Sequence, residues 1–216
     1  MTPDVRVASQ TVQQEEESDM SLDTTFSRAA ETSAPILDTL AERWSPRSFV
    51  SNETIDEQKL TAALEAARWS PSAANSQPWR FLVARRGTAA FDRIAATLMG
   101  FNSVWAGSAG ALVVGIYETE DAEGKPRPWA QYDLGQAMAH FSVQAHADGL
   151  HVHTMGGFDA AALAEAFDLP ATLRPLTVTA VGTLAPAEEL GDETLIAREG
   201  APRTRLPLDE VVLVSE

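Results

Sequence analysis

"SPSAANSQPWRFLVARR", residues 70–86, joins two unlike kinds of chain. Its first ten residues hold two prolines, three serines, an Asn and a Gln, a composition that suits a rigid polar corner better than helix or strand. The remainder, "RFLVARR", reads as a strand. Just upstream, Leu60, Ala63, Leu64 and Ala67 fall at helical spacing on one face, and Asp56 or Thr54 can cap a helix over about 56–69. The unit is therefore helix, stiff corner, strand. The same alternation extends in both directions. Pro35 opens a first predicted helix at 35–43. Downstream come a helix at 88–100, a short buried strand in "GALVVGIY" (110–117), an exposed loop at 118–128 and a long helix at 129–148 ended by Gly149. "LHVHTM" reads as a strand and "GG" as a tight connection. A short helix at 158–167 and an alternating strand with one polar face at 176–184 follow. Residues 185–205 are polar and punctuated by Pro and Gly, and the end, "LPLDEVVLVSE", reads as extended. Interspersed strands and helices give an α/β or α+β class in a three-layer α/β/α arrangement.

The chain has 216 residues, enough for one domain with a sizeable core. Its net charge of −15 argues against a nucleic-acid partner, since nothing basic tracks a phosphate backbone. Residues 1–33 carry seven acids against Arg6 and Arg28, and few large apolar side chains. They read as a solvated, mostly disordered extension, so residues 1–34 are set apart from a single domain at 35–216. With no Cys there is no disulfide, thiolate metal site or Cys nucleophile. No apolar run is long enough to span a bilayer, and no secretory signal opens the chain. A cytoplasmic protein is expected.

Three constellations carry chemistry. "RWSPRSF" supplies Arg43, Ser45 and Arg47, and "APRTRLPLDE" supplies Arg203 and Arg205. If they converge they form a monophosphate pocket, because guanidinium groups bind phosphate bidentately; otherwise each pairs with surface carboxylates. In the corner, Pro71 and Pro78 stiffen the backbone while Ser72, Asn75, Ser76 and Gln77 present donors and acceptors. That edge suits a planar heterocycle, or it is a turn bonded to itself. In "HTMGGFD", Gly156 and Gly157 let backbone N–H groups approach a ligand, or merely turn strand into helix. There is no G-x-G-x-x-G after a first strand and no P-loop. "AGSAG" around Ser108 precedes its strand, whereas a nucleophile elbow must follow one. His151 and His153 lack a third ligand at metal spacing, and no metal is expected.

Four of these segments in order, "RWSPRSF", "SPSAANSQPWRF", "HTMGGFD" and "PRTRLPLDEVV", resemble the flavin-binding segments of the nitroreductase family over about residues 36–214. The resemblance implies a homodimer with FMN at the subunit interface, a mixed sheet flanked by helices, and a C-terminal segment exchanged across the dimer. It further implies that Arg43, Ser45, Arg47, Arg203 and Arg205 hold the FMN phosphate and ribityl end. Pro71, Ser72, Asn75 and Gln77 would reach the ring from the other chain, with the helix at 129–148 central to the dimer. Asn102 would face the pyrimidine edge. Met155, Gly156 and Gly157 would form the loop at flavin N5, with the Gly157 N–H donating to it. Trp129 or Trp105 would wall the substrate pocket, or either is simply buried core.

The implied activity is hydride transfer from NAD(P)H through FMN to a nitroaromatic, quinone or related electrophile by a ping-pong mechanism, without a dinucleotide-binding fold. An oxidase or dehydrogenase acting on a peptide- or azoline-type substrate, with oxygen as acceptor, is the alternative within that chemistry. A cofactor-free acidic interaction module is the alternative outside it. Two features depart from the family pattern: Gly156 stands where some members carry an acid, and the stretch between Gly115 and Tyr132 is short.

Overall fold

A computed structural model describes residues 28–215, so the acidic extension up to residue 27 lies outside the described residues. In chain order the helices and strands are α1 (Asp38–Glu42), α2 (Glu57–Arg68), β1 (Trp79–Arg85), α3 (Ala89–Ala95), α4 (Asn102–Trp105), β2 (Ala111–Glu118) and α5 (Ala130–Ala147). Then follow β3 (His151–Met155), α6 (Ala160–Ala166), β4 (Leu173–Gly182), α7 (Glu193–Gly200) and α8 (Leu208–Val211). The strands form one sheet in the order β1-β2-β4-β3. Every pairing is antiparallel, where the resemblance implied a mixed sheet.

The layering follows from the two-residue period of β2. Ala111 and Val113 pack on one face of the sheet against Leu60, Ala63 and Ala67 of α2 and Leu134, Ala137 and Phe141 of α5. Leu112, Val114 and Ile116 pack on the other against Phe91 and Ile94 of α3, Leu163 of α6 and Leu195 of α7. A strand covered on both sides must be apolar throughout, which is why "ALVVGI" shows no alternation. The fold is α+β in three layers.

Local chemistry sets the helix ends. Asp56 accepts from the backbone N–H groups of Gln58 at 2.9 Å and Lys59 at 3.1 Å and starts α2. Gly149, at φ +80°, turns the chain out of α5, and Leu150 N returns to Ala145 O at 2.8 Å.

Four expectations change. The helix predicted at 88–100 stops at Ala95, because Thr97 Oγ1 bonds Ile94 O and Leu98 leaves the helix to bridge Phe158. Residues 185–205 are not irregular throughout. Asp192 caps α7 by accepting from Leu195 N at 2.9 Å, and the buried Leu195 anchors the helix to the sheet. The end predicted as extended contains a helical turn at Leu208–Val211, with Leu206, Leu208, Val211, Leu213 and Val214 exposed. In β4 the expected polar face is interior: Thr179 is fully buried and shares a 3.0 Å hydrogen bond with Thr154.

Phe141 of α5 is the largest fully buried side chain in the layer that α2 and α5 form on the sheet. Phe141→Ala is expected to cost about 3–5 kcal/mol of unfolding free energy, read from the midpoint shift in denaturant melts at unchanged slope.

Candidate functional site

The segment "RWSPRSF" leaves α1 and runs beside the end of β4, where Phe49 bridges Leu184 and Val50 N donates to Thr183 O at 3.0 Å. A buried acid near the end of α7 fastens it. Glu199, 3% exposed, accepts from Arg47 N at 2.8 Å and Ser48 N at 3.2 Å, and pairs with Arg47 Nη1 at 3.6 Å. Just beyond α7, the Arg203 guanidinium donates to the carbonyls of Arg28, Ala41 (2.6 Å) and Arg43 (2.9 Å). These bonds fold residues 201–205 against 43–47.

The two arginine clusters therefore meet. Arg43, Ser45, Arg47, Arg203 and Arg205 line one pocket of about 190 Å³, together with Trp44, Arg28 and Arg198. Six guanidinium groups share it, and among the described residues Glu199 with Arg47 is their one ion pair. Burial, then Arg205, holds the Arg43 guanidinium below its ordinary pKa; burial, then Arg43, Arg205 and Arg28, does the same to Arg203. Cations that depress one another in this way are stabilised by an anion placed among them. Arg203 differs from the expectation in one respect. Three of its N–H donors go to backbone carbonyls, so it also builds the wall, while Arg205 is exposed and donates to Thr204 O.

The glycine connection lies next to this pocket. β3 ends at the buried Met155, and Gly156 and Gly157 follow, exposed. Met99 N and Asn102 Nδ2 donate to Gly157 O at 3.0 and 3.1 Å. A Cβ on Gly157 would lie 2.8 Å from Asn102 Nδ2, so only glycine allows this approach. His153 Nδ1 meets Pro46 O at 2.9 Å and ties β3 to the arginine segment. Arg198 lies over the Phe101 ring at 4.5 Å, which carries the cationic pocket up to the neighbour of Asn102. A longer groove of about 450 Å³ shares Arg43 and Ser45 with the pocket and continues past Thr154 along Gly135, Ala139 and Ser142 of α5.

The polar corner stands elsewhere in the chain. Ala73 N donates to the buried Asp133 of α5 at 3.1 Å, and Arg127 Nη1 donates to Ser76 O. Gln77 N donates to Ser72 Oγ at 3.0 Å, and Gln77 Nε2 reaches Asn75 O and Oδ1, both at 3.2 Å. Within one chain the corner is bonded to itself, and Pro71, Ser72, Asn75 and Gln77 line neither the six-arginine pocket nor the groove that adjoins it. Trp129, 62% exposed, lines a cavity of about 310 Å³ with Ala73, Ala74 and Ser76. Of the two readings of Trp105, burial favours the core: it is 3% exposed and packed between Phe49 and His153.

Three residues at this site escaped the sequence reading: Arg28, Arg198 and Glu199. Arg198 and Glu199 sit a few positions before Arg203 in the same segment, behind the Asp192 cap that marks a helix. Arg28 carries no local signal.

The nitroreductase family model matches residues 40–114 and 97–183. The chain belongs to the nitroreductase family. A solved structure of an oxidoreductase containing FMN is 34% identical, with a TM-score of 0.80 over 86% of this chain and 94% of that one. An uncharacterized 15.4 kDa protein of Mycolicibacterium smegmatis is 34% identical over 139 residues, which are 61% of this chain and 92% of that protein. The major NAD(P)H-flavin oxidoreductase of Aliivibrio fischeri is 37% identical over 49 residues, 23% of this chain and 22% of that protein. Among the described residues, no helix is long and apolar enough to cross a membrane.

Removing the Glu199 carboxylate strands two buried N–H groups and Arg47 together. Glu199→Ala is expected to destabilise the fold by about 2–4 kcal/mol in denaturant melts. His153 is held at a pKa of about 4, chiefly by burial, with Pro46 O opposing and Arg47 adding to the depression. The folded chain thus binds fewer protons than the unfolded chain between the ordinary histidine value of 6.5 and about 4. The stability due to neutral His153 is complete above pH 6.5 and is lost as pH falls toward 4. His153→Gln should accordingly lose less stability than the wild type between pH 7 and pH 4.5.

Proposed function

We propose that the chain is an FMN-dependent oxidoreductase that moves hydride from NAD(P)H to a small organic acceptor, such as a nitroaromatic or a quinone, and that it works as a homodimer. The observation that carries the reading is the six-arginine pocket, with its single carboxylate, together with a glycine connection whose Gly157 is held by Met99 N and Asn102 Nδ2. Such donors fit a phosphate monoester joined to a flat ring. Guanidinium forks bind phosphate oxygens at one end, and bare backbone takes a ring edge at the other. The FMN held by the 34%-identical structure and the name of the flavin oxidoreductase from Aliivibrio fischeri support the same cofactor and reductant.

Bound FMN supplies a centre that accepts and gives up two electrons with a proton. The chain's own residues hold and orient it. Arg43, Arg47 and Arg205, with the Ser45 hydroxyl, would take the phosphate and ribityl end. Asn102, already fixed against Gly157 O, would present its amide to the pyrimidine edge, and the Gly157 N–H would donate to N5. Pro71, Ser72, Asn75 and Gln77 stand apart from their own chain's six-arginine pocket, which favours the corner's service to a second copy's ring. That copy would lie along α5, and Trp129 would then wall the acceptor site.

Purified protein should be yellow, and anaerobic mixing with NADH or NADPH should bleach it before an acceptor restores the colour. Arg205→Ala, which removes a charge-assisted phosphate bond, is expected to weaken FMN binding by about 1.5–3 kcal/mol in a fluorescence titration. Unchanged affinity in that variant, or a colourless protein that takes up no added FMN, would refute the assignment.

A further inference from the structure

Arg28 is the one arginine of the pocket that comes from before the family match, which starts at residue 40. Its guanidinium lies over the Trp44 ring at 4.1 Å, and it donates to Glu199 O and, at 2.6 Å, to Ala201 O. Its own carbonyl accepts from Arg203, and two residues on Ala30 N donates to Ala41 O at 2.8 Å. The residues around Arg28 are thereby bonded to both sides of the pocket, to the stretch leading into "RWSPRSF" and to the end of α7.

These bonds fix the plane of the Arg28 guanidinium without exhausting it. An arginine carries five N–H donors. Two are used here, and the buried Nε has no partner. Among the described residues no carboxylate pairs with it, and its charge adds to those of Arg43 and Arg205 in depressing Arg203. A cation held in place, partly unsatisfied and facing like charges is placed for a dianion. A phosphate monoester, with close to two negative charges at neutral pH and three acceptor oxygens, has that chemistry.

We infer that Arg28 is a further phosphate-holding residue of the cofactor site, and that through it the residues just before α1 fasten over the phosphate of bound FMN. The inference rests on the FMN reading. It gives the stretch that precedes the family match a defined task, retention of the cofactor by its phosphate.

The test compares FMN with riboflavin, which has the same ring and no phosphate. Wild type, Arg28→Ala and Arg28→Lys are titrated with each flavin and followed by fluorescence quenching. Arg28→Ala should weaken FMN about tenfold while leaving riboflavin within about twofold. Arg28→Lys, which keeps the charge and loses the fork, should recover part of the difference. Equal weakening of both flavins would show that Arg28 only supports the fold, and unchanged FMN affinity would remove its role; either overturns the inference. If Arg28→Ala does not fold, the FMN-to-riboflavin ratio of Arg28→Lys decides alone, and a ratio equal to that of the wild type overturns the inference. A wild type that takes up neither flavin overturns the cofactor reading beneath it, a result distinct from the others.

Discussion

The buried carboxylate of Glu199 is the joint on which the candidate site depends. Like-charged guanidinium groups do not gather unless something fixes them, because each loses hydration and repels its neighbours. Glu199 does this with one side chain. It takes the N–H groups of Arg47 and Ser48 and the Arg47 charge, locking the end of α7 onto the segment that starts at Arg43. Arg203 then closes the other side through three carbonyls. In a chain of net charge −15, the result is a local field of opposite sign. Such a field draws small anions to one place while the rest of the surface repels them.

Strain marks the polar corner. Ala74, Asn75 and Gln77 have φ of 53°, 54° and 45°, and none is glycine. Left-handed backbone costs roughly 1–2 kcal/mol at a residue such as Ala74. It persists because the turn is held from outside by Asp133 and Arg127 and from inside by Ser72. Holding backbone in this conformation keeps the polar edges of Asn75 and Gln77 in fixed positions, and stored strain of this kind concentrates where a ligand must be gripped.

Much of the layering was legible because burial leaves a periodic trace. The Leu60, Ala63, Ala67 stripe, the unbroken apolar run of β2 and the Gly149 stop each follow from local geometry. The readings that failed share one cause. Thr97 ends α3 because Leu98 has a partner in Phe158, far along the chain, and no local propensity reports that bridge. Thr179 looked like part of a polar face but is interior, since its hydroxyl finds Thr154 on the next strand. Trp105 stood open between pocket wall and core, because an aromatic residue carries no mark of which way it faces.

The sequence by itself determined the two long helices α2 and α5, the strands of the sheet, the donor types and the two arginine clusters, since these are properties of neighbouring residues. Only the tertiary structure decided that the clusters form one pocket, that Arg203 builds while Arg205 remains open, and that Arg28 joins them. Those outcomes turn on which carbonyl or carboxylate lies within hydrogen-bond reach. That distance is set by packing between segments more than a hundred and fifty residues apart, such as Arg43 with Arg203 and Arg47 with Glu199.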